Sequence, residues 1–388
     1  MKKIIVVGAS AASMAFITKL RSFDKESTIF CFSAENFLPY NRCLLADFLT
    51  KDISCKEIFL KSDTFFSEYN IDLRLQHRAV RFDFQQKKVL VQHGALEQWY
   101  EYDYLFLGMG TRPFIPKFLQ NNDIDGVFTF HTLQDMENID RYVSTANPEH
   151  AVVMGAGLNG VEAASSLVQK GLTVTLIDTA SQIMPGQLDS QAAAWVCNII
   201  EKNNVRIIIN QSVTAVRSES NRLQAIMLAD GREVKADLLI IAAGSVPNSD
   251  LLRGGDLVLD EGLLKVDRCL KTNIESVFAA GDLCQVPDFR TGALIRSVTW
   301  SDAMLQGLCA ATAFSATPRL YMGAIGLRDS YFFGKSFYAC GQTVRFDEQT
   351  EEQVISNDSD NFAKLYIIDR RLIGFLLIGD ISRLSEFK

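Results

Sequence analysis

The sequence predicts an α/β fold made of two Rossmann-like nucleotide-binding domains, the second inserted into the first, and a small α+β C-terminal domain. Three observations carry that expectation. An apolar strand, a small-residue turn, a helix, a second strand and then an acid follow one another in two places, the order of a right-handed parallel crossover unit. After each copy comes a further apolar strand closing in a glycine turn and a proline, as at a crossing between domains. The 388 residues also exceed what one ordinary core organises.

Taken in order, the first copy runs from a strand at Ile4 to Val7 through Gly8-Ala9-Ser10-Ala11-Ala12-Ser13 and a helix to about Arg21. It ends in a strand over Thr28 to Phe32, followed by Glu35. Tyr104 to Leu107 is the next strand, and Gly108-Met109-Gly110-Thr111-Arg112-Pro113 is the exit. The second copy has a strand at Ala151 to Met154, the turn Gly155-Ala156-Gly157-Leu158-Asn159-Gly160, a helix to about Lys170, a strand at Thr173 to Ile177, and Asp178. Leu238 to Ile241 with Ala242-Ala243-Gly244-Ser245-Val246-Pro247-Asn248 repeats the exit, and Val277 to Ala280 leads into Gly281-Asp282. Short alternating strands, among them 363–368 and 372–378, form the tail. The expected boundaries are 1–115 and 245–320 for the first domain, 116–244 for the inserted one and 321–388 for the tail.

Composition narrows the class. Hydrophobic residues make up 48% and charged residues 22% without a low-complexity tract, which excludes a disordered or fibrous chain. No run of about 18 apolar residues appears, so no membrane span is expected, and the short apolar start runs straight into a turn, unlike a signal peptide. The net charge of −7, with cations scattered, argues against nucleic acid. Eight cysteines lack the close spacing of a zinc knuckle or a redox dithiol, and reduced thiols in a cytoplasm are expected. No metal site is expected.

A glycine-rich turn between strand and helix lets backbone N–H groups and the positive helix end meet a pyrophosphate that side chains would block. Gly155, Gly157 and Gly160 meet that template in full, and Asp178 stands where a carboxylate accepts both ribose hydroxyls. The following Thr179-Ala180-Ser181-Gln182 offers no arginine for a 2′-phosphate, so NADH is expected over NADPH. The first turn departs from the template, with Ser10 and Ser13 at the second and third glycine positions. Taken alone it reads equally as a structural turn.

Further pieces join these turns: Glu35-Asn36-Phe37-Leu38-Pro39-Tyr40-Asn41-Arg42, Val277 to Asp282, and Trp300-Ser301-Asp302-Ala303-Met304-Leu305-Gln306-Gly307. In order and spacing the chain resembles, over nearly its whole length, the pyridine nucleotide-disulfide oxidoreductase superfamily. Within it the likeness is to FAD-dependent NAD(P)H reductases related to rubredoxin reductase and to the flavin portion of nitrite reductase.

The resemblance implies an FAD site at Gly8, Ser10, Ala11 and Ser13 for the pyrophosphate, Glu35 for the adenosine ribose, Arg42 at the cofactor and Asp282, after Gly281, for the ribityl chain. Gly110 and Arg112 of the exit turn are expected beside it. NADH is expected on Gly155, Gly157, Asn159, Gly160, Asp178 and Gly244. Glu162 resembles a glutamate that relatives place near the nicotinamide; a solvated helix-start carboxylate is its plainer reading. Many relatives follow the arginine with a Ser-Lys pair whose lysine reaches that glutamate, but Ala46 and Asp47 stand here, so the ion pair is missing. Asp47 is expected to turn to solvent; if it instead approaches Glu162, one of the two carboxyl pKa values must rise.

Cys43 has two readings. In neighbouring peroxidases and disulfide reductases a single redox cysteine begins the helix at this place, whereas a small buried hydrophobe is the preferred reading here. The four histidines lie outside the motifs, and surface or packing roles suffice for them. The resemblance thus implies a cytoplasmic oxidoreductase that moves a hydride from NADH to FAD. Electrons then pass to a small protein such as rubredoxin, ferredoxin or another iron–sulfur acceptor, from a monomer or homodimer. The alternatives are a thiol-dependent oxidase, peroxidase or disulfide reductase using Cys43, and a non-catalytic nucleotide-binding regulatory subunit.

Overall fold

The computed structural model describes residues 1–120, 123–344 and 349–387. The chain divides into two compact units, one of residues 1–41, 56–112 and 247–326, the other of residues 42–55, 113–246 and 327–388. Residues 42–55 therefore group with the second unit although they lie inside the expected first segment. The tail groups there too.

In the first unit a five-stranded parallel sheet runs in the order Val277–Ala279, Tyr104–Leu107, Lys3–Val7, Thr28–Phe32, Ile71–Arg74. Four of the five residues in Lys3–Val7 are buried, the continuous apolar run that a strand covered on both faces requires. The Ala11–Arg21 helix packs on the Trp300–Thr312 helix. Their approach depends on Gly307, where a Cβ would fall 2.0 Å from the Ala12 carbonyl oxygen. Phe16 of the first helix stacks on Phe106 of the sheet at 4.2 Å. Arg21, 1% exposed, ends the helix with its guanidinium donating to the carbonyls of Asp24, Ser27, Tyr69 and Asn70, so the hydrogen bonds of a buried cation are met by backbone carbonyls, with the Asp24 charge adding support.

The second unit repeats the plan with a parallel sheet ordered Arg206–Ile208, Thr173–Ile177, His150–Met154, Leu238–Ile241, Val127–Thr129. The central strands Leu238–Ile241 and His150–Met154 are buried almost throughout. The tail adds a five-stranded antiparallel sheet in the order Arg328–Phe332, Lys335–Gly341, Arg371–Gly379, Phe362–Ile368, Glu351–Asn357, and a short helix Leu384–Phe387. Lys364 of that sheet, 2% exposed, is held between Asp189 at 2.6 Å and Glu352 at 2.7 Å. No helix among the described residues is long and apolar enough to cross a membrane.

Candidate functional site

In the first unit the turn leaves its strand at Gly8, whose φ of +93° and close approach to the Gly108 carbonyl (a Cβ would sit 2.2 Å from that oxygen) require glycine. Ser10 caps the helix in extended conformation without a side-chain cap bond, and Ala11 is its first residue. No acid stands in the first turn, so the helix N-terminus presents positive potential without a built-in counter-charge. Ser13 is fully buried, and its Oγ occupies the volume that a Cβ on Gly108 would need, 2.2 Å away. The serine in place of the third glycine is therefore matched by a glycine on the facing strand end.

Glu35 follows the second strand, half-buried, and accepts from the Tyr40 hydroxyl at 2.6 Å. Gly281, at φ +83°, donates its N–H to Gln306 Oε1 at 2.7 Å and sets Asp282 beside Arg296. Burial pushes the Arg296 guanidinium below its ordinary range while the Asp282 charge opposes that shift. Gly110, at φ +57°, accepts from the Asn248 N–H at 3.0 Å. Arg112 makes an ion pair with Asp250 at 2.6 Å and donates to the Pro247 carbonyl at 3.0 Å.

The second unit separates packing glycines from a bare one. Gly155 (φ +108°) and Gly160 are demanded by neighbours: a Cβ would fall 2.4 Å from the Ala242 oxygen in the first case and 1.8 Å from the Gly155 oxygen in the second. Gly157 is different. It caps the Leu158–Gln169 helix at φ −71°, ψ −178°, extended backbone open to any residue, with no atom within 4 Å of an added Cβ. Protein packing gives no reason for glycine there; a group that approaches the backbone does, and a pyrophosphate fits the acid-free helix start. Asp178 accepts from the Ala156 N–H at 2.6 Å and the Ala180 N–H at 2.8 Å, which fixes the turn while each carboxylate oxygen keeps a further lone pair for a ribose hydroxyl. Asn159 is exposed in the first helical turn, and Gly244, at φ +96° in open space, accepts from the Phe114 N–H at 3.0 Å.

Glu162 lies five residues beyond Gly157, half-buried, and Oε1 accepts from the Ser330 hydroxyl of the tail. Loss of water pushes its carboxyl up to about 7; the Ser330 bond opposes the rise, and the charges of Asp47 and Asp329 add to it. Asp47 does not turn to solvent as expected. It is half-buried on the Leu45–Thr50 helix, and burial with the Asp52 charge raises its own pKa. Packing of that helix on the Leu158–Gln169 helix sets this environment.

Arg42 opens a short 3₁₀ turn, Arg42–Leu44, and donates to the His131 carbonyl at 2.6 Å. Cys43 in that turn is exposed, contrary to the preferred expectation of a buried hydrophobe, because the turn buries none of its three side chains. No disulfide forms among the described cysteines. His77 and His93 stack on each other at 4.3 Å. Sequence reasoning missed Ser330 and the Ser13–Gly108 match. No local signal marks Ser330, 168 positions from its partner, whereas the Gly108-Met109-Gly110 turn could have drawn attention to the second.

The sequence profile of the pyridine nucleotide-disulphide oxidoreductase family matches residues 2–300, and the chain belongs to that family. It is 28% identical over 308 residues to NADH oxidase of Methanocaldococcus jannaschii, across 79% of this chain and 68% of that protein. To the rubredoxin-NAD(+) reductase of Pseudomonas putida it is 28% identical over 316 residues, 81% and 80% of the two chains. The ferredoxin reductase structure from Rhodopseudomonas palustris shares the fold at a TM-score of 0.90 and 23% identity, covering 99% of this chain and 93% of that one. Several other relatives are much longer, and the chain spans 46% to 56% of their length. The class is that of an NAD(P)H-dependent flavin oxidoreductase with FAD and NAD(P)H as cofactors.

Proposed function

We propose that the chain transfers a hydride from NADH to FAD and delivers the electrons to a small redox protein of the rubredoxin, ferredoxin or other iron–sulfur kind. The observation that carries the nucleotide half of this reading is Gly157, a helix-capping glycine that packing does not require, with Asp178 anchored beside its turn. The first unit's residues 8–13, Glu35, Gly281 and Asp282 hold FAD, with Gly110 and Arg112 as its further contacts. Asn159, Gly160 and Gly244 complete the NADH site. When bound, FAD supplies a two-electron acceptor that releases electrons singly.

The protein's own part is placement. Asp178 accepts the adenosine ribose hydroxyls, the Gly155 to Gly160 backbone donates to the pyrophosphate, and Glu162 orients the nicotinamide from the fifth helical residue. The acceptor class rests on relatives such as rubredoxin-NAD(+) reductase, and the reduced cysteines fit a cytoplasmic setting.

The exposure of Cys43 favours a second reading, a thiol-dependent oxidase, peroxidase or disulfide reductase. Anaerobic mixing of the flavin-loaded protein with NADH, followed by flavin absorbance, separates the two. Bleaching that an iron–sulfur protein reverses, unchanged in Cys43→Ser, supports the first reading. A long-wavelength thiolate-to-flavin band lost in Cys43→Ser supports the second, and a protein that binds no flavin overturns both in favour of a regulatory subunit.

A further inference from the structure

Two hydrogen bonds tie the tail's first strand and the residue after it to the Leu158–Gln169 helix around Glu162, and a third lies within the helix itself. Ser330 donates to Glu162 Oε1, the Phe333 N–H donates to Ser165 Oγ at 2.8 Å, and the Ser166 hydroxyl returns to the Glu162 carbonyl at 3.0 Å. The bond one helical turn further on pins the strand to the helix, so Ser330 is held against the carboxyl rather than reaching it by chance. We propose that Ser330 is a positioning residue for Glu162: its hydroxyl fixes the orientation of the carboxyl and sets the pH at which that carboxyl takes up a proton. This rests on the proposed place of Glu162 beside the nicotinamide.

The surroundings explain why one hydroxyl matters. The Leu45–Thr50 helix presents Asp47, with Asp52 behind it, and the tail strand presents Asp329. Arg328 shares the Ser330 side of that strand, two residues away. Lys170, which caps the end of the helix, is paired to Asp140 at 2.6 Å, and Lys51 also goes to Asp140 at 3.4 Å. The adjoining strand Thr173–Ile177 carries no charge, and His150–Met154 carries only His150 at its start. Ser330 is thus the donor that favours the ionised carboxyl against burial and two like charges.

The chemical consequence falls on the nicotinamide, whose ring is neutral in NADH and positive in NAD⁺. An ionised Glu162 favours the positive ring, and a protonated one does not. Ser330 therefore sets the pH window in which the site holds the oxidised product more tightly.

The test uses the flavin-loaded full chain with two readouts: the protonation midpoint of Glu162, by carboxyl ¹³C NMR with Glu162→Gln to assign the signal, and NAD⁺ affinity against pH by calorimetry. Loss of a hydrogen bond to a charged group corresponds to about one to two pH units, so Ser330→Ala is expected to raise the midpoint and the affinity inflection together by that amount. Ser330→Thr, which keeps the donor, is expected to restore both. An unmoved midpoint in Ser330→Ala, or Thr no better than Ala, overturns the inference. If the midpoint moves but NAD⁺ affinity ignores both it and Glu162→Gln, the Ser330–Glu162 pair stands and the nicotinamide placement of Glu162 fails.

Discussion

Replacing Gly157 by alanine separates a glycine kept for a ligand from one kept for packing. At φ −71° and ψ −178°, with nothing within 4 Å of the new Cβ, alanine meets no strain and no clash. Alanine is a poorer helix cap than glycine by some tenths of a kcal/mol, while a less flexible unfolded chain returns about 0.4–1 kcal/mol. The two nearly cancel, so the nucleotide-free protein is expected to keep its Tm within about one degree. Binding responds differently. A methyl group between the turn's N–H groups and a pyrophosphate forfeits charge-assisted hydrogen bonds worth about 1.5–3 kcal/mol, or roughly 10- to 150-fold in Kd for NADH. Gly160→Ala is the opposite control: its Cβ would lie 1.8 Å from the Gly155 oxygen, a backbone atom that cannot step aside, and overpacking of this kind costs about 1–3 kcal/mol or more. Calorimetric NADH titration with thermal melts of both variants decides the matter. Wild-type affinity in Gly157→Ala, or a wild-type melt in Gly160→Ala, refutes the division of roles.

Three further outcomes follow from the same structure. Gly108→Ala drives a Cβ to 2.2 Å from Ser13 Oγ and is expected to destabilise the first unit by about 1–3 kcal/mol; Ser13→Gly in the same chain should recover much of that loss in chemical denaturation, a coupling that independent sites would not show. Glu162 has its carboxyl raised from 4.5 to about 7, so between those pH values the folded state holds more protons than the unfolded one, and stability falls as pH rises. Glu162→Gln should therefore stabilise the nucleotide-free protein above pH 7, by at most about 3 kcal/mol, and leave it unchanged below about pH 4.5, read from melts across that range. Lys364→Ala strands Asp189 and Glu352 without their cation and is expected to cost about 3–5 kcal/mol, whereas a double change of Asp189 and Glu352 to amides in that background should recover part of the loss.

Much of the molecule is legible in the linear sequence because its strongest constraints are local. A buried parallel strand must be apolar throughout, as Lys3–Val7 and His150–Met154 nearly are, and a tight turn into a helix must use small residues within six positions, as at 8–13 and 155–160. The acid after the second strand is equally local, since strand length fixes its distance from the turn. Those requirements gave both strand–turn–helix units and their order from residue types alone, and marked Asp178 as the acid of the second; a nucleotide on the first turn is expected only from the family resemblance.

What only the tertiary structure decided concerns environments rather than elements. That Gly155 and Gly160 serve packing while Gly157 is bare depends on which backbone atoms of the 238–244 region and of the turn itself come close. The serine in the first turn becomes intelligible only against Gly108, and Cys43 is exposed because its turn buries nothing. The state of Glu162 is set first by its burial and then by three residues from two distant stretches, Ser330, Asp47 and Asp329. Water exclusion and charge proximity are sums over whatever the fold brings near, and a carboxyl 168 positions from its hydrogen-bond donor carries no mark of that donor in its own neighbourhood of sequence.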